Sequence, residues 1–471
     1  MVKILTIIAW VIFVPFLIKA QDQPGFASIK ELTPIPVTKD TGETPQSKVW
    51  TYANTHWAVL PDAEGTHLWR LDGTQWSKQM TLSDIAYKAD CKVVGNVTHV
   101  LLFRGLDYIY LTSLEYVPSS KSYKTWSKRP TPVELFVGKD ALTATIDVDS
   151  KGRMWLASDN KSSIDVRWSD APYANWSEPI VLATGVTNGD ICAVVAMAGK
   201  VGVIWSNQNT RRFGFKTHKD GKSPTDWSID EVPSSQSALD IKQGMANASL
   251  NLAVAGDGTL FCAIKTNYNL EGYPRLALLV RRSSGKWEDL HEITQSGERP
   301  LVILNEDEKK LKVIYNTSSE NGNNIVYKES STAAISFTPE MTLFQGPYTD
   351  ATSIKGKYTS EVVVLASNSD RTAGVLASDV LPTDDCCKWV IYPNPFFSTT
   401  SLYFTLLQNG RYEVSLYDTN GSKVTMLKQG DAIAGEVNKV DIKGEDFARG
   451  LYLVKIQTEE KTEVLKLVLD K

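Results

Sequence analysis

Cysteine is scarce in this chain, with five among 471 residues, too few to staple a disulfide scaffold. Cys91, Cys192 and Cys262 lie in apolar runs and read as free, buried small residues. Cys386 and Cys387 are adjacent, resemble no metal-site spacing, and leave a local or an intermolecular disulfide open. An excess of either charge is also missing. Against 54 Asp and Glu stand 50 Lys and Arg, a net charge of -4, so the basic footprint that a nucleic-acid partner needs is absent. There is no Gly-rich phosphate loop, and no Ser elbow with a matched His. Long apolar runs are lacking but for one, Ile4 to Ile18, which follows Lys3 and ends at Ala20 before Gln21-Asp22-Gln23. That is the pattern of a secretory signal over residues 1–20, cut near Ala20, rather than of a membrane anchor, which needs about twenty apolar residues. No transmembrane segment is expected after its removal.

Aromatic side chains, by contrast, are plentiful, at 10% of the chain, and they supply apolar area for a sizeable β core. They are also periodic. Trp76-Ser77, Trp126-Ser127, Trp176-Ser177, Trp227-Ser228, Trp287-Glu288 and Phe337-Thr338 each follow a polar turn, at intervals of 50, 50, 51, 60 and 50 residues. A repeat of about fifty residues with only strand-like content predicts propeller blades rather than a helical solenoid. Segments start near Lys48, Asp90, Asp140, Asp190, Asn247, Arg299 and Asp350, each parsed as four strands with the fourth beginning at the Trp mark. The last has only three strands before Pro382, while Phe26 to Val37 is an orphan strand-like run. The expectation is a seven-bladed β-propeller over residues 21–380, closed by lending the first strand to the last blade and so removing an open edge. Six or eight blades are the fallback.

The turns before these marks, such as Ser169-Asp170-Ala171-Pro172-Tyr173-Ala174-Asn175-Trp176 and His218-Lys219-Asp220-Gly221, resemble the Asp-box turns of sialidase-like propellers over single hairpins. In that family the turn is structural and remote from the active site. The resemblance implies carbohydrate-related work and assigns no catalytic residue.

After a linker at 381–388 the character changes. Tyr392-Pro393-Asn394-Pro395-Phe396, Gly410-Arg411-Tyr412-Glu413-Val414, Leu416-Tyr417-Asp418-Thr419-Asn420-Gly421, Asp446-Phe447-Ala448-Arg449-Gly450-Leu451-Tyr452 and Lys466-Leu467-Val468-Leu469 follow in order. This tail, residues 389–471, resembles the C-terminal sorting domain of the type IX secretion system of Bacteroidetes. The resemblance implies export across the outer membrane of a Gram-negative cell, removal of the domain, release or surface attachment, and the secretion machinery as partner. Read by itself the tail is a small Ig-like β-sandwich, with alternation at Tyr412-Val414-Leu416 and turns at Asn420-Gly421 and Arg449-Gly450.

In a propeller the first strand of each blade lines the axis, and the loop leading into it shares a rim with the loop joining strands two and three. That rim would gather Asp90, Asp140, Asp190, Asn247, Arg299 and Asp350, together with Asn207, Arg212, Asn267, Tyr268, Tyr273 and Arg275. A copied backbone cap explains repeated Asp and Asn without function. Two carboxylates at a mouth also suit the acid and base of a glycoside hydrolase, so Asp140, Asp190 and Asp90, with Arg299 facing Asp140 or Asp190, are the catalytic candidates. Arg299, Arg212 and Arg275 suit a carboxylate or sulfate fork, while Tyr268, Tyr273 and Trp205 suit stacking on sugars. Asn207, Asn247, Asn267 and Asp350 complete the substrate-binding set, and the insertion Thr266 to Tyr273 is the best ligand loop. Elimination from a uronic acid would require one of His56, His67, His99, His218 or His291 on that rim, whereas the parse puts them elsewhere. No cofactor is called for, although structural calcium at Asp220, Asp257 or Glu306-Asp307-Glu308 stays open. The expectation is a monomer, secreted or on the outer cell surface, acting on an extracellular polysaccharide as a hydrolase or less favourably a lyase, or else binding glycan or protein without catalysis.

Overall fold

The computed structural model describes residues 25–37, 41–42, 45–103, 105, 107–138, 141–234, 244–268, 270–317, 323–380, 389–406, 408–433, 436–458 and 462–470. The export signal, Asp140 and the linker with Cys386 and Cys387 lie outside these residues. The described chain is almost wholly β. Strands follow one another as antiparallel meanders, beginning with Val49–Tyr52, Thr55–Asp62, Gly65–Asp72 and Gln75–Ser83. The first hairpin turns on Ala53 and Asn54, both at positive φ (52° and 55°), the twist that suits a two-residue connection. Each later meander opens on an inner strand: Lys88–Val94, Ala144–Val148, Cys192–Met197, Leu250–Val254 and Glu298–Asn305. The long strand Met341–Thr352 is the outer strand of one meander and the inner strand of the next, with bulges where it changes partner. Inner strands adjoin in chain order, and Val49 bridges to Ile354, so the first sheet meets the last and the ring is propeller-like.

The ring is closed from the N-terminus. Ser28–Glu31 pairs antiparallel with Arg371–Ser378, and Ile35–Pro36 continues along the same strand. The orphan run is thus two short strands rather than one. Trp76 lies at the start of the outer strand Gln75–Ser83, as expected, but the outer strand of the third meander begins at Ile180 and leaves Trp176 in the turn. Its indole N–H donates to the Tyr173 carbonyl at 3.2 Å, as that of Trp227 does to Pro224 at 2.9 Å. The following hydroxyl does the stitching: Ser177, Ser228 and Thr338 accept from the backbone N–H of Trp168, Thr217 and Glu329 at 3.1, 3.0 and 3.0 Å.

The inner strands are sheet edges with unsatisfied backbone groups, and side chains of the preceding inner strand fill them. Ile146 N–H donates to Asp90 at 2.8 Å, Val194 to Thr145 at 3.0 Å, Ala196 to Asp147 at 2.8 Å and Val302 to Asn251 at 3.1 Å. Residues 45–48 occupy the axis itself. Gln46 donates to the Ala144 carbonyl at 2.9 Å, Ser47 N–H to Asp90 at 2.9 Å, and the Ser47 hydroxyl to the Ser353 carbonyl. The Lys355 ammonium lies 2.5 Å from Asp90 and donates to the Ile146 carbonyl at 2.8 Å. A void of about 20 Å³ lies between Pro45, Ser47, Val194, Asn251, Leu301 and Lys355, room for one water.

Cys91, Cys192 and Cys262 are free and buried. The tail forms a three-stranded and a four-stranded sheet around one core that includes Phe396, Leu402, Val414, Leu416, Ile442, Val454 and Leu467. Gly450 opens the strand Gly450–Thr458, which pairs with both of its neighbours in that larger sheet.

Removing Asp90 would leave the Lys355 ammonium facing the axis without its counter-charge, a change that costs about 3–5 kcal/mol for a buried pair. Denaturant unfolding is expected to show that loss for Asp90→Ala and a smaller one for Asp90→Ala combined with Lys355→Met.

Candidate functional site

The rim that carries the loops into the inner strands holds most of the sequence-selected side chains, in separate groups. Asp190 is fully buried and spent on local donors: Thr187 N–H at 2.7 Å, Ser206 hydroxyl at 3.0 Å and Gln208 N–H at 3.0 Å. That is the backbone cap anticipated as its structural explanation. Asp90 is not at the rim at all but inside the axis, because residues 45–48 fill the mouth it was expected to face. Asn207 caps its own turn through Thr210 N–H at 3.0 Å, and Arg212 turns to Asp230 at 2.5 Å on the outer side of its sheet. Trp205 is buried against Gly214, where a β-carbon would stand 2.3 Å from the indole, so it packs and does not stack on a ligand.

Two groups remain on the surface. Asn247 donates to the side-chain carbonyl of Asn267, which in turn donates to the Ala246 carbonyl at 2.6 Å and toward Gln208 at 3.5 Å. Beside them the insertion folds over a cleft of about 370 Å³ lined by Tyr268, Glu271, Tyr273, Arg275, Gln295 and Ser296. The two tyrosine rings sit 5.4 Å apart at 60°. Burial, and next the neighbouring Tyr273, push the Tyr268 phenol up to about 12, so it is a neutral donor. Glu298, which sequence reading passed over, braces the floor: Arg275 lies 2.6 Å from one oxygen and Lys265 pairs with the other. Burial raises its pKa, but these two cations outweigh that and hold the carboxyl below its usual range.

Arg299 departs from expectation. It does not reach across the mouth but pairs with Asp350, the equivalent residue of the next sheet. Both take positive φ, 54° and 56°, the left-handed region where a side chain is strained. Both also stand at bulges where the ladder slips. Thr41 donates to the Asp350 carbonyl at 2.5 Å, and the Arg299 side chain is 45% exposed. Asp159, which ends the strand Met154–Asp159, is buried. Burial raises its carboxyl to about 6 although Leu142 and Thr143 donate to it at 2.5–2.9 Å.

The histidines are all engaged. His67 bonds Asp62 at 2.7 Å, His99 bonds Ser113 at 2.8 Å, His218 meets the Asp226 carbonyl at 3.0 Å, His56 meets Thr51 at 2.9 Å and His291 meets Glu288 at 2.8 Å. Burial lowers His99 to about 3 and His56 to about 4. Among the described residues Asp62, Glu64 and His67 gather metal-ligating atoms, yet the Lys78 ammonium already lies 2.5 and 2.8 Å from the two carboxylates. The calcium candidates serve turns: Asp220 accepts from Ser150 at 2.6 Å, Asp257 from Thr259 at 2.8 Å, and Glu306 pairs with Lys357.

The ring, its rim cleft and the second β domain define a propeller-like β protein with a separate β tail. Residues 390–470 match the family described as Secretion system C-terminal sorting domain, so the tail is a type IX sorting domain and the protein is secreted or displayed at the cell surface in Bacteroidetes. No curated protein matches the chain. Among solved structures it is similar to polysaccharide lyase Uly1, at 9% identity and TM-score 0.44 over 71% of this chain and 90% of that one. It is also similar to an alpha-L-arabinanase of Penicillium chrysogenum complexed with arabinobiose, at 11% and 0.39 over 64% and 100%. The Dos1 propeller matches at 9% and 0.42 over 70% and 78%. Likeness at this level assigns no activity.

Because the Glu298 carboxyl is held below its usual value, the stabilisation from its two ion pairs is fully present above the ordinary pKa of 4.5 and is lost as pH falls below it. Thermal melts are expected to place Glu298→Gln below the parent by about 1 kcal/mol at pH 7, with the gap closing toward pH 3.

Proposed function

We propose that the protein is a seven-bladed propeller over residues 21–380, carried outside the cell by its tail at 389–471, that binds an extracellular polysaccharide at the rim cleft. The observation behind this reading is the cleft of about 370 Å³, where two tyrosines, a braced arginine, a glutamate and a glutamine converge. Tyrosine offers a flat apolar face with a polar tip, a guanidinium suits carboxylate or sulfate, and the amide supplies both donor and acceptor. Sugars present the complementary mixture of apolar ring faces and hydroxyls. Catalysis is the less supported half, since Asp90 and Asp190, proposed as acid and base, are buried and saturated with donors.

A second reading, a glycoside hydrolase or less favourably a lyase, rests on the strained Arg299–Asp350 pair, because backbone strain of this kind gathers at active sites. Asp140 and Arg299 remain its catalytic candidates, and Asn247, Asn267 and Asp350 its auxiliary ones, whereas Asp90 and Asp190 serve as acceptors for the backbone.

Affinity electrophoresis against a polysaccharide panel, with parallel assays for reducing ends and unsaturated uronate, separates the two. Retention without product supports binding, and product that disappears in Arg299→Ala supports the enzyme. Tyr273→Ala is expected to weaken retention about tenfold, the scale of one stacked aromatic face. Unchanged retention in both Tyr273→Ala and Arg275→Ala would remove the cleft from the account.

A further inference from the structure

Three segments remote in sequence share one seat, in which Phe26 and Tyr327 are buried and Tyr392 is half-buried. Phe26 N–H donates to the Tyr327 hydroxyl at 3.0 Å, and that oxygen lies 3.2 Å from the hydroxyl of Tyr392. Tyr392 ends Val390–Tyr392, the first strand of the sorting tail, and opens its Tyr-Pro-Asn-Pro motif. Gly25 closes the seat from the other side, at φ 105°. A β-carbon there would stand 2.6 Å from the Tyr392 hydroxyl and 2.7 Å from that of Tyr327, so any larger residue must push these hydroxyls away from a strained backbone position.

Beneath the seat, fully buried Phe26 lies over the Lys312 ammonium, 4.5 Å from its ring centre. That ammonium is 2.7 Å from Asp379 and 2.9 Å from Glu329, and Tyr358 donates to Asp379 at 2.6 Å. Asp379 directly follows Arg371–Ser378, the strand that Ser28–Glu31 completes. Withdrawing the closing strand therefore uncovers a buried ion network and removes the donor from the hydroxyl that Tyr392 meets.

We propose that Tyr392 is a latch coupling closure of the ring to docking of the sorting tail. The tail seats on a closed ring, and the seated tail in turn holds the closing strand, since coupling between two sites is reciprocal. The first residue of the sorting motif is thus occupied by the main domain, and an incompletely closed ring presents the secretion machinery with a different tail surface. This inference is independent of what the rim cleft binds.

Amide hydrogen exchange on the whole chain tests it. Tyr392→Ala is expected to speed exchange in Ser28–Glu31 about tenfold, although no residue there is altered, and to leave Lys88–Val94 unchanged. Gly25→Val, acting from the opposite end, is expected to speed exchange in Val390–Tyr392. Tyr392→Phe, which keeps the ring and loses only the hydroxyl, is expected to give the same pattern at a few-fold, the scale of one hydrogen bond. Unchanged exchange in Ser28–Glu31 for both Tyr392 variants would overturn the latch, as would a Gly25→Val chain whose seam loosens while the tail strand stays protected.

Discussion

The constraint on which the ring depends is the inner edge of each sheet. A meander leaves its first strand with one row of backbone groups unpaired, and around an axis these rows face one another with little water available. The chain answers with short polar side chains, each 49 to 56 residues before the backbone donor it meets: Asp90, Thr145, Asp147 and Asn251 bond the backbone of the next inner strand. The period of about fifty residues thus has a mechanical meaning, since it brings a side chain of one sheet level with a backbone donor of the next. Polar residues in otherwise apolar strands, which look like catalytic candidates, are in large part this mortar.

The same logic sorts the rim. Carboxylates that were attractive by spacing alone, Asp90 and Asp190, proved to be saturated, whereas the cleft is built from an insertion that breaks the spacing. Irregularity was the better guide to exposed chemistry. Arg299 and Asp350 show an intermediate case, in which two equivalent positions take up strained backbone and pair with each other. Departure from the repeat marked them, but their pairing across adjacent sheets rather than across the mouth needed the ring geometry.

Much of the architecture was legible because its signals are local. Trp-Ser marks, alternating apolar strands and the three-stranded last segment pointed to meanders closed by an N-terminal strand, and Ser28–Glu31 pairs as that pattern requires. Less legible were features that depend on contacts between distant segments. Nothing in Pro45-Gln46-Ser47-Lys48 advertises that it lies on the axis, and Lys312 in the strand Lys310–Asn316 gives no hint that it is wholly buried among Glu329, Asp379 and Tyr358. The Trp marks misled in one respect: Trp76 lies in its outer strand, but Trp176 sits in the turn before one, where its indole N–H and the following hydroxyl consume backbone groups. The tail was legible from its motifs, whereas the meeting of Tyr392 with Tyr327 was not.

Filling the axis has a consequence for how such a molecule can change over time. Residues 46 and 47 and the Lys355 side chain fill the axis between the two faces of the ring. Each side is then a separate canvas: substitutions that remodel the tyrosine-lined hollow leave the tryptophan turns on the far side untouched, and new specificities can arise on one without disturbing the other.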